Sequence, residues 1–334
     1  MKLQSMVGIA ALLSASMQAG AQSAVSPQCS AIVTQDACQK TLDVFQFVAP
    51  QLGAVIAGGN ATLGVGGTLG GPGHIYITGR ATVVNANLPL VDQIVPSVTG
   101  AHSDDYGTQS QIAGIPQADV AIGLFRGFPV GVTNVGGIDL LGSISYMPSL
   151  TASGLRISTP NGSFKFGGGV RVGIIQESIL FPGLSVTYLR RGLPTMNLQG
   201  ENVAGDSLNI SNVNVTTDSY RIVASKNLLL LGLAAGVGQD RYNTRAMGSA
   251  YIAPRSSDGV GLGTPAANVG PFSMSQKITR TTYFLDATIN LALVKLIGEI
   301  GRSSSVNIPT FNTFAATTAG AAQTFGAIGI RLGL

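Results

Sequence analysis

Apolar and polar residues alternate with a period of two along most of this chain from residue 53 onward. Successive side chains of a strand point to opposite faces, so this pattern predicts strands with one apolar face. Residues 74–84 place Ile75, Ile77, Ala81 and Val83 on one face and His74, Tyr76, Thr78, Arg80 and Thr82 on the other. In 117–125, Ala118, Val120, Ile122 and Leu124 oppose Gln117, Asp119 and Gly123. In 135–147, Ile138, Leu140, Ile144 and Tyr146 oppose Asp139, Ser143 and Ser145. In 163–174, Phe164, Phe166, Val170, Val172 and Ile174 oppose Ser163, Lys165 and Arg171. In 279–291, Tyr283, Leu285, Ala287, Ile289 and Leu291 oppose Arg280, Thr282, Asp286, Thr288 and Asn290. The last ten residues repeat the pattern, with Ile328, Ile330, Leu332 and Leu334 on one side and Ala327, Gly329, Arg331 and Gly333 on the other.

A soluble β-sandwich also alternates. These strands, however, run to about ten residues or more, where soluble strands usually have roughly five or six. The connections alternate as well. Short ones fall near 69–73, 127–134, 176–182, 225–228 and 292–294, and long polar ones near 88–114, 148–162, 192–216, 242–274 and 303–321. Short turns at one end and long loops at the other mark a transmembrane β-barrel. The expected fold is therefore all-β: a transmembrane antiparallel up-and-down barrel of about twelve strands, within a range of ten to fourteen. Residues 52–58 supply the strand that makes the number even, and 206–215 offer a further hairpin.

Before the barrel, the period changes. Residues 34–48 read as a short helix, capped by Thr34, lined by Leu42, Phe45 and Val48, and ended by Pro50. It is too short to span a membrane; it sits in the periplasm or plugs the barrel mouth, and packing against the barrel is the simpler reading. Lys2, the apolar stretch from Met6 to Leu13 and Ala19-Gly20-Ala21 read as a signal peptide cut after Ala21. The expected organisation is 1–21 signal peptide, 22–51 periplasmic or plug segment and 52–334 barrel. Cys29 and Cys38 are the only cysteines, in an exported segment that permits disulfides, and are expected to be bridged.

Composition narrows the class further. Charged residues make up 10% of the chain, against a typical ~25%, and glycine contributes 45 residues. No run of about 18 apolar residues follows residue 21, so the apolar content belongs in membrane strands rather than helices. Trp is absent, so an aromatic girdle must come from 8 Tyr and 12 Phe. The net charge of +4 is spread out, with no basic cluster to suit nucleic acid.

The blocks Ala49-Pro50-Gln51-Leu52-Gly53 to Gly59-Asn60, Leu88-Pro89, the Ile115-to-Leu124 strand led by Pro116-Gln117, and the Ile138-to-Pro148 strand ending Ser145-Tyr146-Met147-Pro148 resemble an uncharacterised bacterial outer-membrane β-barrel family. That family is loosely similar to the outer-membrane long-chain fatty acid transporter. The resemblance spans roughly residues 40–334 and implies an outer-membrane location and passage of hydrophobic molecules. It carries over no site residue. The partners implied are outer-membrane lipid, the barrel-assembly machinery through the C-terminal strand, and a small hydrophobic ligand.

Little in the chain suggests catalysis. His102, in Ala101-His102-Ser103-Asp104-Asp105, stands on a long loop, and adjacent residues do not normally fold onto one another as a triad. His74 has no evident nucleophile. Asp104-Asp105 are too few ligands for calcium, and no cofactor is expected. The candidate functional residues are charges on the expected inner face: Arg80, Asp119, Asp139, Lys165, Arg171, Arg221, Asp286, Lys295, Glu299 and Arg331. They pair across the lumen to stiffen the barrel, or they form a wall that sorts solutes. The leading expectation is passive passage or binding of small hydrophobic molecules. The alternative is a closed structural or surface-interaction barrel; a general porin and an acyl hydrolase rank lower.

Overall fold

The computed structural model describes residues 23–152, 154–256, 263–291, 293–315 and 317–333. The expected signal peptide and the apolar Leu334 lie outside the described residues. Ten strands form a meander: β1 (Ile75–Pro89), β2 (Thr108–Phe125), β3 (Ile138–Tyr146), β4 (Phe164–Ile175), β5 (Gly183–Gly192), β6 (Ser207–Leu228), β7 (Leu231–Ile252), β8 (Ala267–Leu291), β9 (Val294–Ser303) and β10 (Gln323–Gly333). Each is antiparallel to the next, and β10 pairs back onto β1, from Tyr76↔Gly333 to Val84↔Phe325, so the sheet closes. Closure leaves no sheet edge inside a bilayer, where an unpaired backbone group would cost several kcal/mol, on the order of any single strong interaction.

Ten is the low end of the expected range. Three more strands, Leu150–Ala152, Leu155–Ser158 and Met196–Glu201, belong to the same sheet. They extend the wall at its long-loop end, beside the outer part of β6, without widening the ring. Residues 206–215, read as an extra hairpin, are that outer part of β6. Its parity is broken by a bulge at Ser211–Asn214, with Asn212 at φ +53°, so Ile210 and Val213 both face inward although three residues apart.

Near the short turns the strands are apolar outside. Ile77, Leu140, Val172, Ile222, Leu233, Leu285, Ile300 and Ile330 are exposed there. An aromatic rim bounds this belt on the long-loop side, with Tyr146 against Phe164 (centroids 5.1 Å apart), Tyr188 against Tyr220 (5.2 Å) and exposed Tyr283. Beyond the rim β6, β7 and β8 continue, but their faces exchange polarity. Outward positions become Gln239, Arg241, Arg245, Ser275 and Lys277, and inward ones Tyr242, Ala246, Ala250, Ile252 and Met274. The segment 242–274, expected as a loop, is therefore largely strand.

One helix, α1 (Ile32–Ala57), fills this outer chamber. It packs on β1, β2, β5, β6, β7, β8 and β10, so it lies inside the ring. Buried residues occur on all its sides, as expected of an enclosed helix. Three readings of this region are corrected. The helix starts from Ala31 with no side-chain cap, and Thr34 instead donates back to the Ala31 carbonyl. Pro50 lies within the helix instead of ending it. Residues 52–57 are its last turns and not a strand. Pro50 lacks the N–H that would bond the Gln46 carbonyl, and Gln276 of β8 supplies that donor at 3.0 Å. No described helix is long and apolar enough to cross a membrane. A disulfide joins Cys29 to Cys38, Cα atoms 5.5 Å apart, at the start of α1.

Candidate functional site

The start of α1 is tied to the long loops. Lys40 bridges Asp36 and Asp104, both at 2.7 Å, and donates to the Val95 carbonyl. Asp36 accepts from the backbone of Ser97 and His102, and Asp43 from Asn312. The chain therefore enters the barrel from the long-loop end, descends as helix, and leaves at the short turns as extended backbone.

α1 stops at Gly58, whose φ of +57° suits glycine. From there to Leu69 the chain crosses the lumen with no ladder of its own, and every buried amide and carbonyl needs a partner. The wall supplies charged ones. Arg191 donates to the carbonyls of Ala57 (3.1 Å) and Ala61 (3.3 Å), and Arg221 to Gly58 (3.0 Å) and Gly59 (2.8 Å). Arg80 reaches the Asn60 carbonyl at 2.8 Å and Arg331 the Leu63 carbonyl at 2.5 Å. Glu299 accepts from the amides of Gly59 (3.1 Å) and Asn60 (2.6 Å). Asp286 accepts from Gly64 N–H and the Asn60 side chain, both at 2.7 Å, and Asp139 from the Leu69 amide. Close approach explains the glycines: a Cβ on Gly59 would lie 2.5 Å from a Glu299 carboxylate oxygen, and one on Gly66 would lie 2.4 Å from the Ser225 amide nitrogen.

Eight of the ten candidate charges thus meet the plug or brace those that do. Asp119 holds Arg80 and Arg191, each at 3.0 Å, and Asp139 holds Arg171 at 2.7 Å. Lys165 and Lys295 stand apart. Lys165 is half-buried beside Arg190 and Thr216, and Lys295 is half-buried at the short-turn mouth. The sequence reading left Arg191, Asp240 and Arg280 out of the set. Asp240 pairs with Arg221 at 2.7 Å, and Arg280 holds the loop carbonyls of Ser304 and Ala321. Strand parity could have found them: Arg191 shares a face with Ser185 and Thr187, but exposed Arg190 and Arg241 beside these residues blur the alternation. His74 lies at the short-turn end, against the Gly71 carbonyl, and His102 at the other end. No group of three or more metal-capable side chains assembles among the described residues.

A second feature lies between α1 and the wall. Val48, Leu52 and Val55 fall at i, i+4 and i+7, on one helix face. Opposite stand Val84 and Ala86 of β1, Ala113 and Ile115 of β2, and Met147, Leu155 and Ile157. They enclose a cavity of about 280 Å³. The polar residue on the helix side, Gln51, spends its amide on the backbone of Asn87 in both directions, at 2.7 and 2.8 Å, and apart from Gln111 of β2 the rest of the lining is apolar. The wall is incomplete here. The β2–β3 ladder stops at Gln117↔Ser145, so 110–116 pair with β1 alone among the described residues. Pro116, which has no N–H to give a ladder, stands where that second neighbour is lost.

No protein-family model matches the sequence, and no curated protein matches it. Among solved structures, the transport unit of the autotransporter AIDA-I from Escherichia coli is 10% identical, covering 78% of this chain and 89% of that one with a TM-score of 0.32. A deletion mutant of the monoaromatic hydrocarbon channel TodX is 12% identical, covering 79% and 67%, with a TM-score of 0.30. The toluene transporter TbuX of Ralstonia pickettii is 12% identical, covering 87% and 98%, with a TM-score of 0.29. This chain is loosely similar to these proteins in fold. Overlaps of this quality transfer no site or substrate, and the barrel assignment stands on the closed ring of strands.

Proposed function

We propose that this outer-membrane barrel admits and binds small apolar molecules through its wall, with its long loops outside the cell. The observation that carries this reading is the cavity of about 280 Å³ beside stretch 110–116 of β2, which is paired on its β1 side alone among the described residues. Engineered dry cavities of roughly half that size bind benzene, so one aromatic ring or a short alkyl chain fits. The entry stretch presents exposed Ile112, Gly114 and Pro116, which a ligand passes without stripping polar groups. The plug below the cavity is held by charge-assisted hydrogen bonds, and a polar solute gains no open path. No catalytic group is involved.

The test is toluene binding to the purified protein in detergent, by calorimetry. Saturable binding to the wild type, abolished in Ala113→Phe by filling the cavity, supports the proposal. Absence of binding by the folded wild type sinks it and leaves a closed structural barrel. That second reading draws on the extent to which the wall charges are committed to the plug.

A further inference from the structure

The short-turn mouth holds a pocket of about 530 Å³, far from the apolar cavity and independent of its role. Its floor is the end of the plug, Gly64 to Leu69, and its wall carries Lys226, Lys295, Arg331, Glu177 and Tyr76. Two of these charges are already committed. The Lys226 ammonium donates to the carbonyls of Ser178 and Ile179, at 2.5 and 2.8 Å. Glu177 accepts from the Asn227 amide at 2.6 Å, from the Asn227 side chain and from Ser225.

The other two cations are under-used. Arg331 is 2% exposed; one nitrogen donates to the Leu63 carbonyl, while its buried Nε has no partner. The Lys295 ammonium has no hydrogen-bond partner among the described residues. Both cations lie near the Tyr76 ring, Arg331 at 4.9 Å and Lys295 at 6.0 Å from its centre. An unpaired guanidinium donor removed from water is costly, and a planar or tetrahedral oxyanion satisfies it in the way Arg does best.

We propose that this pocket binds the anionic group, carboxylate or phosphate, of a small solute. Arg331 supplies the buried fork and Lys295 the mobile second charge, with Tyr76 packed beneath both. Because Arg331 also holds the Leu63 carbonyl, an anion there competes with one clamp of the plug and couples the mouth to the plug.

The experiment is calorimetric titration of the full-length protein in detergent with sodium acetate and, separately, sodium phosphate, against sodium chloride at matched ionic strength. Saturation by acetate alone identifies a carboxylate site, by phosphate alone a phosphate site, and by both a general oxyanion site; each supports the proposal. Lys295→Met should weaken binding about tenfold or more, Lys295→Arg should restore it, and Lys165→Met, outside the pocket, should change nothing. Heat-dependent gel mobility checks that each variant is folded. The proposal is overturned if neither anion saturates by tens of millimolar, roughly the weakest affinity such a site would be expected to have, or if folded Lys295→Met binds as well as the wild type.

Discussion

The two halves of this barrel solve the packing problem in opposite ways. At the short-turn half the outside is apolar and the inside carries Arg80, Asp119, Arg191, Arg221, Asp286 and Glu299 around a backbone that has no ladder. At the long-loop half the outside is polar, and Val48, Phe47, Ile210, Val215, Tyr242 and Met274 pack as in a soluble protein. Strands β6, β7 and β8 run through both. What changes is the medium outside and the element inside. A lipid belt demands apolar outward residues, and an extended plug demands donors and acceptors. A helix satisfies its own backbone and asks only for apolar contact. Plug retention should therefore depend on charge in one half and on shape in the other.

The largest test breaks the charged half. Asp119→Ala leaves Arg80 and Arg191 buried beside one another without their shared carboxylate. Removing one partner of a buried ionic group typically costs about 3–5 kcal/mol. The plug crossing should loosen, so the variant should show ion conductance in planar bilayers and the wild type should show none. A silent variant with unchanged heat-modified gel mobility would mean that the charges stiffen the wall without retaining the plug.

The matching test in the other half is Phe47→Ala. Phe47 is buried and stacks on Phe314 with ring centroids 4.1 Å apart, joining α1 to a long loop. The expected loss is about 3 kcal/mol of packing. It should appear as easier thermal unfolding with no conductance, since the clamps below are untouched. Conductance from this variant would show that one half does not hold the plug without the other.

These halves also differ in how far they could be read from the chain. In the belt, lipid on one side and polar groups on the other give a clean period of two, and the strands around Ile77, Val120, Leu140, Val172 and Leu285 were legible. Beyond the rim the apolar face turns inward and the outward residues are polar, so 242–274 resembled loops. The Ser211–Asn214 bulge further broke the parity of β6. Pro50 misled because its rescue comes from Gln276, a residue 226 positions away. The alternation put the candidate charges on one strand face, but it did not give their partners. Clamping of Gly58 to Leu69 depends on a carbonyl-by-carbonyl fit that side-chain pattern does not encode. The wall gap beside Pro116 was equally hidden, because a missing ladder partner is a property of β3's path and not of β2's own residues.

Gln276→Leu sharpens the comparison on a single hydrogen bond. It deprives the Gln46 carbonyl of its donor inside the apolar half, where no charge stands ready to replace it. The cost should be about 1–3 kcal/mol, and hydrogen exchange should rise across the helix around Pro50 while the 58–69 crossing stays protected. Uniform protection loss in both segments would refute independent anchoring.

The smallest effect lies in the outer loops, where a second charged contact stands at the apolar half besides the Lys40 bridge to Asp36 and Asp104. Asp206 is buried, which by itself raises its pKa, yet Arg255 (2.7 Å), the Asn202 side chain and the Ala253 amide together hold it below the usual carboxylate value. A carboxyl with a depressed folded pKa contributes stability that is fully present above its unfolded pKa of about 3.9 and is lost as pH falls through the lower folded value. Acidification from above the reference value of about 3.9 to below the depressed folded value should therefore release the clasp joining 202–206 to 253–255. Because Arg255 is partly exposed, solvent screening keeps the effect below about 1 kcal/mol. Hydrogen exchange at Ala253 should speed up on acidification in the wild type, after correction for intrinsic rates. It should already be fast and no longer respond to that acidification in Asp206→Asn, whose amide cannot titrate. An equal response in both would show that this clasp adds nothing beyond the packing around it.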